Sequence, residues 1–227
     1  MGRSTRDRPA KAPLSREAVV NAGLKVLRKA GIDGVTMRAV AAELDTGAAS
    51  LYVYVANREE LLDQMFDAVA GEVDLGPEPD PEHWREQLEG LLTRVRATMD
   101  RHPGIARVPL SSIPTGPQAV RVAERVLGLL RAGGVDDQSA AWFIDVISLF
   151  VNAGSFEASI YLEEGRDHAE IDVVVRDAFA RLDPEEFPNT VSMIGPLTTG
   201  DGDERFAFGL RLMIEGLLHV QPPEPKA

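Results

Sequence analysis

The stretch whose reading decides the fold runs from Val35 to Leu62, VTMRAVAAELDTGAASLYVYVANREELL. Thr36 opens a segment of about two turns, with Met37, Val40, Ala41 and Leu44 on one face. The polar run Asp45-Thr46-Gly47 breaks it. A second short piece follows, in which Leu51 and Val55 lie one turn apart. Asn57 then stands as an N-cap, with Glu60 in the capping-box position, and the spacing predicts a helix over 58–73. Two short helices joined by a tight polar turn, with a helix on each side, describe a helix-turn-helix unit. Only Leu51 and Val55 need to face inward, which leaves Ala48, Ala49, Ser50, Tyr52, Val53 and Tyr54 outward. Small residues at the start of such a helix allow close approach to base edges. Ser50 can donate or accept, and the tyrosine hydroxyls can reach phosphates. A hairpin of two helices with half-buried tyrosines has the same spacing, so periodicity alone leaves both readings open.

Upstream, Ser15 can cap a helix with Val19, Val20, Leu24 and Leu27 on one face, ending near Gly31. Ahead of it, residues 1–14 form a basic arm expected to be disordered. In the first 16 residues Arg3, Arg6, Arg8, Lys11 and Arg16 are opposed only by Asp7. Such an arm suits nucleic-acid phosphates or an anionic membrane surface, and equally a solvated tail that aids solubility. The charge split extends further. Residues 1–60 hold 10 Lys/Arg against 7 Asp/Glu, whereas residues 61–227 hold 14 against 29, so the chain's net −12 sits in its carboxy-terminal part. An acidic body is repelled by DNA and should point away from it.

Downstream, Gly76-Pro77-Glu78-Pro79-Asp80-Pro81 reads as a stiff acidic connector. Helical spacing then recurs over 82–100, 117–132, 137–162, 168–182 and 206–218, with an irregular stretch at 105–116 and a break at 195–202. The 137–162 segment is apolar around more than one face, as befits a helix that is central or shared with a second subunit. The tail 221–227, QPPEPKA, is disordered by composition. No alternating strand or internal repeat occurs, so the fold is expected to be all-α.

Composition excludes several functions. The chain has 227 residues, 44% hydrophobic and 26% charged, with no cysteine, which removes thiol catalysis, Cys-ligated zinc and disulfides. No apolar run approaches the roughly 20 residues of a bilayer span, and no apolar stretch follows the basic start as in a secretory signal. The cytoplasm is the default location. His83, His102, His168 and His219 are scattered without metal-ligand spacing, and no nucleophile elbow or phosphate-binding loop occurs. No enzyme activity, cofactor or metal is expected.

Val35–Leu44, Ser50–Val55 and Asn57–Leu62, within residues 15–66, resemble the DNA-binding domain of the tetracycline-repressor (TetR) family. The remainder is similar to that family's second domain in size and helix order, and Arg101–Glu164 is weakly similar to the tetracycline repressors themselves. The resemblance implies a three-helix DNA-binding domain over 15–62 and a helical ligand-binding and dimerisation domain over 63–220. It implies a homodimer that binds a palindromic operator in double-stranded DNA and is released by a small molecule. DNA contacts carried over by position are Thr36, Arg38, Ala48, Ala49, Ser50, Tyr52, Val53, Tyr54 and Arg58. Arg38 suits a two-bond grip on guanine. Two departures stand out: Asp45 replaces the usual turn glycine, and Gly47 replaces the usual Ser/Thr cap.

For the tetracycline repressors the resemblance implies a magnesium–drug complex held by two histidines and a glutamate. Here Pro109, Leu149 and Glu157 align with those positions, so two of the three ligands are missing and magnesium–tetracycline sensing is not expected. A different small, largely apolar effector is implied, enclosed by helices 82–100, 117–132 and 137–162. Met99, His102, Phe150, Asn152, Phe156 and Glu157 are the candidate lining residues. The competing class is a helical small-molecule-binding or protein-interaction module without DNA binding.

Overall fold

The computed structural model describes residues 13–166 and 168–220. All but the last two residues of the basic arm, and the 221–227 tail, lie outside the described residues. The described part is helical, without a strand among the described residues. Helix α1 (Arg16–Gly34) starts where Ser15 Oγ accepts from the Ala18 N–H at 3.1 Å. At Gly31 the backbone swings to φ 67° and ψ 178°, so the regular helix stops where expected and a tight turn through buried Ile32 follows. Helix α2 (Met37–Glu43) is capped by Thr36, whose Oγ1 accepts from Ala39 N–H at 3.1 Å.

The turn after α2 places Asp45 at φ 49°, the left-handed conformation for which a glycine is the usual choice. Ala48–Val53 is a 3-10 helix. Its cap, Gly47, has no side chain to hold the first amides. The segment is six residues long and buries only Leu51, so little favours the wider α-helical turn over the tighter one. Helix α3 (Arg58–Ala70) starts on Asn57, whose Oδ1 accepts from Glu60 N–H at 2.8 Å. It ends three residues earlier than the spacing predicts because Gly71 caps it and a turn carries Val73 back to Ala70.

The second part contains α4 (Trp84–Asp100), α5 (Pro117–Ala132), α6 (Asp137–Glu163), α7 (His168–Phe179), two short turns α8 (Pro188–Ser192) and α9 (Ile194–Leu197), and α10 (Gly202–Leu217). The stretch read as irregular holds a 3-10 helix, Ile105–Leu110, with Ile105, Ala106 and Val108 buried. Helix α10 has a full capping box formed by Asp201 and Glu204.

Two cores hold these elements. The first joins α1, α2, the 3-10 segment and α3, and takes in Met99, Ile105 and Val108. It therefore runs through residue 62, where the domain boundary was expected and which lies inside α3. Gly23 permits this packing, since a Cβ there would sit 2.6 Å from Met65 Sδ. The second core gathers Leu88, Leu91, Leu129, Leu130, Ile147, Leu210 and Ile214 from α4, α5, α6 and α10. Helix α6, 27 residues, is long and apolar enough by length and composition to cross a membrane, although no unbroken apolar run of that length exists in the sequence. Its buried side carries Ser139, Asn152, Ser155 and Ser159, and it packs against α4, α5 and α10, as a central helix of a bundle does.

Candidate nucleic-acid interface and ligand cavity

The 3-10 segment is anchored by Leu51 and Val55, 0% and 1% exposed, and this fixes which side faces out. Ala49, Ser50, Tyr52 and Val53 are exposed, Val53 to 79%, with Arg38 and Thr36 also at the surface of the α2 region. Thr36 Oγ1 is occupied as an acceptor by its capping bond. Ala48 is half-buried and packs against the first core.

Two members of the expected contact set are bonded within the protein. Tyr54 is half-buried, and its hydroxyl donates to the Leu14 carbonyl at 2.7 Å, tying the recognition segment to the chain just ahead of α1. Arg58 donates through Nε to Val35 O at 2.6 Å and through Nη2 to Ile32 O at 2.8 Å. Both carbonyls follow the break at Gly31; Ile32 O also accepts from the Val35 N–H at 3.2 Å, and the partly buried guanidinium adds a charged donor to each. Both side chains are therefore committed inside the protein.

Helix α3 connects this face with the body through contacts the sequence reading missed. Asp67 Oδ1 accepts from Gln118 N–H at 2.8 Å and Ala119 N–H at 2.9 Å, so α3 supplies the cap for α5. Asp63 Oδ1 accepts from Ser112 Oγ at 2.7 Å. At the far end, His102 Nε2 lies 3.0 Å from Glu72 Oε2. The Gly116-Pro117 start of α5, with no capping side chain of its own, was the available hint.

Between α3, α4, α5 and α6 lies a cavity of about 440 Å³, within the range that holds drug-sized molecules. Phe66, Ala70, Leu92, Met99, Val122, Val126 and Ile144 contribute to an apolar lining, and Asp145, Ser148 and Asn152 give α6 a polar edge. Of the six expected lining residues, only Met99 and Asn152 face this cavity. Phe150 and Glu157 border a second one of about 390 Å³ with Arg96, Asp172 and Arg205. Phe150 points away from the first because it stacks on Phe206, ring centroids 5.3 Å apart. His102 and Phe156 line neither: His102 is held by Glu72, and Phe156 packs against the first core. Glu157 accepts instead from the Tyr161 hydroxyl at 3.1 Å. Burial, with the Glu157 carboxylate alongside, pushes the Tyr161 hydroxyl pKa up. Among the described residues no group of three or more His, Asp or Glu could hold a metal ion.

An exposed recognition segment on a helix-turn-helix, joined by one helix to a bundle that encloses an apolar cavity, defines a ligand-responsive DNA-binding regulator. Residues 19–65 match the family described as bacterial regulatory proteins, tetR family, and residues 76–221 match the tetracyclin repressor-like C-terminal domain. The HTH-type transcriptional repressor DrrR1 of Streptomyces coeruleorubidus is 32% identical over 223 residues, covering 92% of this chain and 80% of that protein. The TetR family protein ActR of Streptomyces coelicolor, solved in complex with actinorhodin, superposes with a TM-score of 0.82 at 40% identity, covering 91% of this chain and 96% of that one. The class D tetracycline repressor of Escherichia coli is 27% identical over 206 residues, 90% of this chain and 89% of that protein. The chain belongs to the tetracycline-repressor family. It is a ligand-responsive, DNA-binding transcriptional repressor.

Proposed function

We propose that two copies of the chain associate through α6 and α10 and read the two halves of a palindromic operator, acting in the cytoplasm by binding and not by catalysis. Residues 15–62 serve as the DNA-binding unit and 63–220 as the ligand-binding and dimerisation unit. Arg38, Ala49, Ser50, Tyr52 and Val53 form the reading face, with Thr36 and Ala48 at its border. The observation that carries the dimer is the apolar surface left open on two adjacent helices. Trp142, Val146 and Leu149 of α6, and Phe208 and Leu212 of α10, are each about half exposed or more. Large side chains in such numbers on packed helices suit a bundle between subunits. Two recognition segments then sit about 34–36 Å apart, or a multiple of it, on one face of the duplex.

The effector occupies the cavity between α3, α4, α5 and α6. That reading is supported by its apolar lining and by the ligand-bound structures of ActR, with actinorhodin and with (S)-DNPA. Magnesium–tetracycline is not the effector. Leu149 and Pro109 have hydrocarbon side chains with no donor atom, so neither offers a side-chain metal ligand. The test is selection of bound sequences from random duplex DNA by the full chain, followed by fluorescence-polarisation titration. Recovery of a palindrome bound with steep salt dependence is the expected result. Recovery of no duplex at low salt points instead to a helical binding module without DNA binding.

A further inference from the structure

The cavity's polar groups are arranged with a sign. Asp145, Ser148 and Asn152 follow one another along a single face of α6, at spacings of three and four residues. Asn152 Nδ2 donates to Ser148 O at 2.8 Å and lies 3.2 Å from Ser148 Oγ, which turns the amide so that Oδ1 is its remaining acceptor. Asp145 adds a carboxylate to the same edge. The edge therefore offers the Asn152 Oδ1 acceptor and the Asp145 carboxylate beside the Ser148 hydroxyl, which can still donate, and among the described residues lining the cavity none is Lys, Arg or His. The opposite walls, from Phe66, Leu92, Val95, Val122 and Val126, are hydrocarbon.

We propose that the effector is a cationic amphiphile, a broad apolar body carrying a protonated amine or iminium group that seats against Asp145. This rests on the reading of the cavity as the effector site. In the single chain Asp145 is exposed, so its carboxylate is hydrated at the edge of the empty cavity. A ligand covering the rim strips that water. A neutral molecule leaves the charge uncompensated, and an anion adds repulsion to the loss. A cation replaces the water with an ion pair in a medium of lower dielectric, where the pair is stronger than in bulk solvent. Selection among apolar molecules of equal size is thus by charge.

A matched pair of dyes tests this with the full-length protein. Nile red is neutral and Nile blue carries the same fused ring skeleton as a cation; resorufin supplies an anionic phenoxazinone. Fluorescence titration is expected to rank Nile blue above Nile red by about tenfold, with resorufin weakest. Asp145→Asn, which keeps the shape and removes the charge, should collapse the Nile blue to Nile red ratio to about one. Ala123→Trp, or Ile144→Trp should the first not fold, fills the cavity and should abolish both signals. If Nile red binds within the cavity but Nile blue is not preferred, or the ratio survives Asp145→Asn, the cation assignment is overturned and the cavity reading stands. If neither dye binds, or both still bind the filled variants, the cavity reading fails and takes the proposal with it.

Discussion

Arg38 and Arg58 are the same side chain in opposite surroundings. Arg38 is exposed beside the reading face, whereas Arg58 is partly buried and bonded to two carbonyls at the end of α1. Arg38→Ala should therefore leave urea unfolding unchanged and cost about 1–3 kcal/mol in operator binding, with relaxed preference at one base position. Arg58→Met should do the reverse first. It removes two charged hydrogen bonds worth about 1.5–3 kcal/mol each, although Ile32 O keeps its bond from the Val35 N–H, so the urea midpoint falls before any DNA is added. From residue type and position alone the two looked alike. What separates them is a backbone event 27 residues earlier, the φ 67° of Gly31, whose consequence for a distant guanidinium no local pattern records. Asp100 gives a third residue-scale prediction. Burial raises its carboxyl pKa, with Asp203 adding, against the pull of Ser155 and Arg96. A carboxyl whose folded pKa lies above its unfolded one contributes stability at acid pH that is lost as pH rises through the folded value. Asp100→Asn should accordingly raise Tm at pH 7.5, with the gain shrinking as pH is lowered below the ordinary aspartate range.

At the scale of elements, α3 is the helix that touches both the helix-turn-helix and the cavity, which suits it to carry the proposed switch. Its first residues adjoin the recognition segment, its Asp67 caps α5, and Phe66 and Ala70 line the cavity. A ligand that spreads α5 from α6 must pull on the same carboxylate that steadies α3. Gly116 shows how close the fit is, because a Cβ there would run into the Asp67 side chain. Asp67→Ala is expected to cost about 1 kcal/mol of stability by loss of the cap. It should also weaken coupling: the dye or effector still binds, but the drop in operator affinity it causes becomes smaller, as read by polarisation titrations with and without ligand. Most of these elements were visible in the sequence. The apolar spacings of α1, α2, α5 and α6 and the caps Ser15, Thr36 and Asn57 gave their starts within a residue or two. The buried 3-10 turn Ile105–Leu110 was not, since Pro109 and a short apolar run carry no period. Nor were the cavity residues. Their common feature is where four helices leave space, and Phe150, a plausible lining residue by type, turned to stack on Phe206 instead.

For the whole molecule, charge and apolar surface divide the labour. The chain's net charge is −12, yet residues 1–60 carry more Lys/Arg than Asp/Glu, so a body that repels DNA holds out a head that does not. Such a head, reading a handful of base pairs through a short segment, binds too weakly alone to select one site; joining two heads makes the second contact intramolecular and multiplies the affinity. In the proposed dimer the open faces of α6 and α10 would supply the joint. Leu149 and Leu212 are 53% and 63% exposed, so a glutamate at either position is well solvated in a lone subunit and leaves its fold intact. In the proposed dimer the same carboxylates would lose their water at the subunit contact, a cost that the lone subunit does not bear. The Leu149→Glu, Leu212→Glu double variant should keep its helical circular dichroism and sediment as a monomer. Its affinity for an intact palindrome should fall to that for a single half-site, while affinity for the isolated half-site is unchanged. Persistence of a dimer by sedimentation, with operator binding retained, would place the subunit contact on another face of the molecule.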